Sequence, residues 1–233
     1  MNLSGTVALV AGASGDIGRA IAFALLDAGA EVVMLGRDMA RLVQPPSGHS
    51  QDRCRFAAVD LTEDGAVCRA AAALPPTGRL DILVLSSGIC ARSRDPGVFA
   101  RQIAANLVGP YALIHGLLPR LIEAQGQIIF INSTQGLRAT AGVGQFAATQ
   151  HAMKAVADSL RDEINAGGVR VTSVFLGRTA TERQRAIFAA EGRPYPPERL
   201  IQPADIGKTV LFLLGLPRTT EATDIVLRPM QKT

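Results

Sequence analysis

The chain has 233 residues, 48% hydrophobic and 19% charged, so it is long enough to bury a substantial core and too apolar for a disordered segment. Its 24 basic and 20 acidic residues give a formal charge of +4, but no basic run carries interleaved aromatics, which argues against a nucleic-acid partner. Cys54, Cys68 and Cys90 lack metal-ligand spacing and fit a reducing compartment. No uncharged apolar stretch reaches membrane-spanning length, and the N-terminus shows no leader pattern. The expectation is a soluble, cytoplasmic protein with no metal and no membrane contact.

Short apolar runs alternate with longer amphipathic stretches. Thr6–Ala11 reads as a buried strand, Ile17–Ala28 as a helix stopped by Gly29, and Glu31–Leu35 and Arg55–Val59 as two further strands. Glu63–Leu74 is helical and ends at Pro75-Pro76; Asp81–Leu85 is a fourth strand. Val98–Glu123 is a long helix with Pro110 inside it, which predicts a kink there. Gln127–Ile131 is the fifth strand, Gln145–Asn165 a helix stopped by Gly167-Gly168, and Val169–Phe175 the sixth strand. Thr179–Glu191 is read as helical, Ala204–Leu214 as the final helix and Thr223–Leu227 as the last strand. Continuous rather than alternating apolar strands mean burial on both faces, hence a parallel sheet between helix layers. The expected fold is α/β, a doubly wound Rossmann-type parallel sheet of about seven strands with helices on both faces. No linker divides the chain, so residues 1–233 are expected to form one domain, with a substrate lid near 178–203.

The first strand runs into Gly12-Ala13-Ser14-Gly15-Asp16-Ile17-Gly18. Glycines between a strand and a helix let the backbone approach a pyrophosphate, and the helix N-terminus offers free N–H groups to it. Asp16 runs against this, because a carboxylate in a phosphate-holding loop has to point outward. The second strand ends at Gly36-Arg37, where an arginine accommodates a 2′-phosphate, so Arg37 favours NADP(H) over NAD(H); a surface pairing of Arg37 with Asp38 is the plain alternative.

On these residues the chain resembles the short-chain dehydrogenase/reductase family in its classical form, over nearly its whole length. Gly12 and Gly18 meet the family's glycine turn, with Asp16 in place of the middle glycine. Asp60 and Leu61 match the adenine-contacting segment after the third strand. Ser86-Ser87-Gly88 stands for Asn-Ala-Gly, Asn106 matches the active-site Asn, Ser133 the catalytic Ser, and Gly177, Thr179 and Thr181 the segment after the sixth strand. The departure is the Tyr-x-x-x-Lys motif: Phe146 and Gln150 occupy its two places. The three lysines Lys154, Lys208 and Lys232 are preceded at four residues by Gln150, Ala204 and Arg228, so no shift of register restores it.

The resemblance implies a catalytic frame of Ser133 and Asn106; Tyr195, in the expected lid, and water are the candidate substitute proton donors. The expected cofactor frame, with Arg37 added from its place after the second strand, is Gly12, Ser14, Gly15, Asp16, Ile17, Gly18, Arg37, Asp60, Leu61, Ser87, Gly88, Gln150, Gly177, Thr179 and Thr181. The resemblance also implies a small-molecule substrate and a homodimer or homotetramer. Ser133 has a second reading as a loop cap, Tyr195 as a packing ring, Cys90 as a small buried apolar residue, and Arg178 as an ion-pair partner of Glu182. Phenylalanine has no proton to give, and positioned proton transfer is worth about 10²–10⁴-fold. The expectation placed first is therefore a non-redox enzyme, an isomerase, dehydratase or cyclase. An atypical NADPH-dependent oxidoreductase with another proton source comes second, and a non-catalytic NADP(H)-binding protein third.

Overall fold

A computed structural model describes residues 1–42 and 51–231; Lys232 lies outside them. Seven strands form one sheet: β1 (Val7–Ala11), β2 (Glu31–Gly36), β3 (Cys54–Ala58), β4 (Ile82–Leu85), β5 (Gln127–Ser133), β6 (Arg170–Leu176) and β7 (Asp224–Leu227). Their order is β3-β2-β1-β4-β5-β6-β7, and every pairing is parallel. The helices are α1 (Asp16–Asp27), α2 (Ala66–Ala72), α3 (Pro96–Ile103), α4 (Gly109–Glu123), α5 (Gly144–Ile164), α6 (Glu182–Ala190) and α7 (Pro203–Leu214).

The unbroken apolar runs follow from the two-residue side-chain period of a strand with both faces covered. In β1, Val7, Leu9 and Ala11 join Leu113, Leu117 and Leu121 of α4 and Ala157 and Leu160 of α5 in one core. Ala8 and Val10 point the other way, into a second core with Ile21 and Leu25 of α1 and Ile206 and Val210 of α7. Full burial is lost at both edges of the sheet: no residue of β3 is fully buried, and β7 alternates, with Val226 49% exposed. The sheet reverses its direction of growth between β1 and β4, and a crevice opens there beyond the carboxyl ends of the strands.

The expected helix over 98–123 is two helices. A π-turn, Ala104–Val108, joins α3 to α4, so the irregularity precedes Pro110 rather than centring on it. The cause is local. Pro110 has no N–H for the carbonyl of Asn106, and Gly109 donates instead to Ala104, five residues back. A second proline, Pro119, sits inside α4. The helix expected over 63–74 is shorter, because Gly65 at φ +74° starts it.

Gly18 of α1 lies on the Gly12 carbonyl so closely that an added Cβ would be far inside contact distance, whereas Gly144 faces open space. Gly18→Ala is expected to destabilise the protein by about 1–3 kcal/mol in urea denaturation, and Gly144→Ala to change stability by less than about 1 kcal/mol.

Candidate active-site cleft

A cleft of about 760 Å³ lies at the carboxyl ends of β1, β4, β5 and β6. Its first wall is the turn from β1 into α1. Gly12 has φ +88°, and a Cβ there would lie 2.5 Å from the Ser87 nitrogen, so β1, β4 and α1 meet at a point only glycine can occupy. Gly12, Ser14, Gly15, Asp16, Ile17 and Gly18 all line the cleft. Gly15 caps α1 without a side-chain acceptor, which leaves the first N–H groups of the helix open to a ligand.

Asp16 does not point outward, as the sequence reading required. Its Oδ1 pairs with Arg19 at 2.8 Å, and its Oδ2 accepts the backbone N–H of Glu182 at 2.9 Å. The carboxylate thus meets the positive end of α6 and an arginine, which offset its charge inside the cleft.

The second wall comes from β4 and the loop after it. Ser87 lines the cleft, and its Oγ is buried without a hydrogen-bond partner. Asn106 is buried in the π-turn rather than in the cleft lining. Its Oδ1 accepts Ile89 N–H at 2.7 Å, and its Nδ2 donates to Ile89 O at 2.8 Å and to Thr149 Oγ1 at 3.1 Å. All its amide groups are therefore engaged in holding the loop after Gly88 against α5.

Ser133 ends β5 and lines the cleft. Its Oγ accepts the Gln135 N–H at 3.2 Å, so it caps the following turn while its own hydrogen remains available to donate. Phe146 and Gln150, one turn apart on α5, both line the cleft beside it. Gln150 Nε2 reaches Thr149 Oγ1 at 3.3 Å, and the Gln150 carbonyl accepts from Asn132 at 3.1 Å. Gly177, Thr179 and Thr181 line the third wall, with Thr181 Oγ1 capping α6 through Gln184 N–H.

Several expected site residues lie elsewhere. Tyr195 packs edge-on against Phe188, with ring centroids 5.7 Å apart, and Arg185 covers its ring at 4.8 Å. Its hydroxyl is directed at the Thr181 carbonyl at 3.4 Å, so it is a packing ring and not a substitute hydroxyl in the cleft. Leu61 abuts Gly109, where a Cβ would lie 2.5 Å from its carbonyl oxygen, and so packs against the start of α4. Asp60 accepts Thr62 N–H and Oγ1 at 2.9 and 2.7 Å. Burial raises its pKa, but the Thr62 bonds and the charges of Arg37 and Arg69 outweigh this and leave it below the ordinary value. Arg37 and Asp60 are thus neighbours at the ends of β2 and β3, outside the cleft lining. Arg178 pairs with Glu191, not Glu182.

Sequence reasoning passed over Arg41, Asn132 and Arg183, all of which line the cleft. Arg41 had a signal, since it follows the same strand as Arg37. Arg183 had one as well, two residues beyond Thr181. Cys90 also lines the cleft, and burial pushes its thiol pKa up. Among the described residues no group of His, Cys, Asp or Glu is arranged to hold a metal, and no helix is long and apolar enough to cross a membrane.

A family model described as short chain dehydrogenase matches residues 6–192. An uncharacterised oxidoreductase of Staphylococcus aureus (strain USA300) is 31% identical over 236 residues, covering 98% of this chain and 99% of the relative. A solved short chain dehydrogenase/reductase family protein superimposes with a TM-score of 0.85 at 29% identity, covering 97% of both chains. A closed form of serine dehydrogenase complexed with NADP+ gives 0.87 at 24% identity, covering 98% of this chain and 96% of that one. The chain belongs to the short-chain dehydrogenase family.

The segment over the cleft is tied down through Glu191. Arg92 binds it from the loop after β4 at 2.7 Å, Arg193 at 3.0 Å and Arg178 at 3.3 Å. The Arg92 bond first, against a smaller burial cost, and then the other two arginines hold its carboxyl at about 2. A carboxyl depressed in the fold stabilises it fully above its unfolded value of about 4.3, and that contribution is lost as pH falls through the folded value. Hydrogen exchange across 182–191, corrected for its intrinsic pH dependence, is expected to quicken from about pH 4.3 downward. Glu191→Gln is expected to flatten that response.

Proposed function

We propose that the protein is an NADP(H)-dependent oxidoreductase of small molecules that works without a side-chain phenol. The content of the cleft carries this reading: Ser133 stands in it, Phe146 and Gln150 hold the places of the family's Tyr and Lys, and among the described residues no tyrosine or lysine lines it. The residues present fit a dinucleotide. The uncapped N–H groups of α1 suit a diphosphate, the unpartnered Ser87 Oγ offers a hydrogen bond, and Arg19 neutralises the one carboxylate inside the turn. Gly88, Gly177, Thr179 and Thr181 line the opposite end. Arg41 in the lining and Arg37 beside Asp60 put positive charge at the end of β2, which favours a 2′-phosphate and hence NADP(H) over NAD(H). A fold neighbour's complex with NADP+ is consistent with this.

When bound, the dinucleotide supplies or accepts a hydride. Ser133 donates a hydrogen bond to a substrate oxygen, Phe146 walls the pocket, and Gln150 bonds neutral hydroxyls without charge. Water supplies the proton. That arrangement suits acceptors that need no concerted acid, such as an iminium carbon or an alkene conjugated to a carbonyl. The family's ordinary ketone reduction should be slow by about 10²–10⁴-fold.

A non-redox isomerase, dehydratase or cyclase is the second reading, favoured by the joint replacement at Phe146 and Gln150. Such reactions ask even more of a positioned acid–base pair. The carboxylates lining the cleft are engaged, Asp16 with Arg19 and Glu182 with Arg185, and the Cys90 thiol is pushed up. Hydride chemistry is therefore preferred.

The test is NADPH oxidation with ketone, iminium and enone panels. The wild type is expected to reduce the latter two with no phenol limb in its pH–rate profile. Phe146→Tyr combined with Gln150→Lys is expected to raise ketone reduction by about 10²–10⁴-fold. Conversion of a substrate with no change in the redox state of the dinucleotide would move the assignment to the second reading.

A further inference from the structure

Three arginines line the cleft, and they differ in what they face. Arg19 is paired with Asp16. Arg41 follows β2 and belongs to the cofactor end. Arg183, in the first turn of α6, reaches across the cleft and donates to the Gly88 carbonyl at 2.5 Å. No carboxylate lies within ion-pair distance of Arg183 among the described residues. A guanidinium has five N–H donors, and this contact with a neutral acceptor uses one of them.

Solvent reaches the side chain along the cleft, yet protein atoms crowd its guanidinium, and that crowding lowers its pKa without discharging it. Cys90, in the loop after β4, lines the same cleft, and the charges of Arg37 and Asp16 act on the guanidinium in opposite directions. Arg92, in that same loop, is bound to Glu191. Apolar walls stand in the same cleft: Ile187, one turn further along α6, together with Phe146 and Leu176. A cation with free donors and no ion-pair partner among the described residues, beside apolar walls, is complementary to an apolar molecule with an anionic head.

We propose that Arg183 is a specificity-determining residue that pairs with a carboxylate on an apolar substrate. This deepens the oxidoreductase reading and rests on it for the word substrate. An oxyanion in this cleft can come from two sources, the substrate or the diphosphate of the dinucleotide. The substrate is favoured because α1 already offers the diphosphate its uncapped N–H groups, whereas Arg183 is the arginine that lines the cleft on the Cys90 side.

The experiment is calorimetric titration of hexanoate and of hexanamide, its neutral isostere, into the full-length protein with and without saturating NADP+. NADPH is titrated in parallel. The wild type is expected to bind hexanoate about 10-fold or more tighter than hexanamide. Arg183→Lys should keep a preference, and Arg183→Gln should abolish it while changing NADPH affinity by less than about 3-fold. The lysine variant keeps the proposal falsifiable if the glutamine variant folds poorly. Equal binding of the two probes to the wild type overturns the proposal. So does an Arg183→Gln variant that loses NADPH affinity by about 10-fold while keeping the hexanoate preference, since Arg183 then serves the diphosphate. A hexanoate preference that depends on Arg183, in a protein that binds no NADPH, supports the anion site and removes the dinucleotide reading instead.

Discussion

The contact on which the site depends is backbone against backbone at Gly12. This residue ends β1, turns with a positive φ, lies against Ser86 and Ser87 at the end of β4, and carries Gly18 of α1 on its carbonyl. A side chain at either glycine would push apart elements whose separation defines the crevice. Parallel strands place their carboxyl ends at one edge of the sheet, and the reversal between β1 and β4 leaves that edge uncovered at this point alone in the strand order. The glycine contact then sets how near a ligand can come to the N-terminus of α1.

Asp16 gives this otherwise ordinary turn an individual character. Its carboxylate would oppose a diphosphate if left bare, but Arg19 and the N–H of Glu182 engage both oxygens. The result links the turn to α6, and α6 in turn reaches the opposite bank through Arg183 and Gly88. At the far end of the same helix, Glu191 gathers Arg92, Arg178 and Arg193. The cover over the cleft is thus held at both ends by charge, with Phe188 buried between. A partly enclosed cleft strengthens each polar contact inside it, so the groups with hydrogen-bonding capacity to spare, Ser87 Oγ and Arg183 among them, matter most for what binds.

Much of the fold was legible in the sequence, for a physical reason. A strand buried on both faces is a continuous apolar run, and a run such as Val7–Ala11 between a polar start and a glycine turn has few other readings. The π-turn was only half legible. Pro110 announced an irregularity, but a missing N–H acts four and five residues upstream, so the change fell at 104–108. Among the site residues, those within one local motif were recoverable: the turn from Gly12 to Gly18, Ser133, and the paired places of Phe146 and Gln150. Those set by distant contacts were not. One of the two partners of Asp16, the N–H of Glu182, lies 166 residues away along the chain. Tyr195 turns toward Phe188 and Arg185 rather than the cleft because its ring is packed between them, a preference invisible in its Pro-flanked sequence.

The account's central claim is that the cleft holds a phosphorylated nicotinamide dinucleotide despite Asp16 and despite the changes at Phe146 and Gln150. Direct titration of NADPH into the purified protein, with NADH alongside, tests it most plainly. The account predicts saturable binding of NADPH, with NADH about 10-fold or more weaker for want of the 2′-phosphate. Absence of saturable binding by either dinucleotide would contradict it.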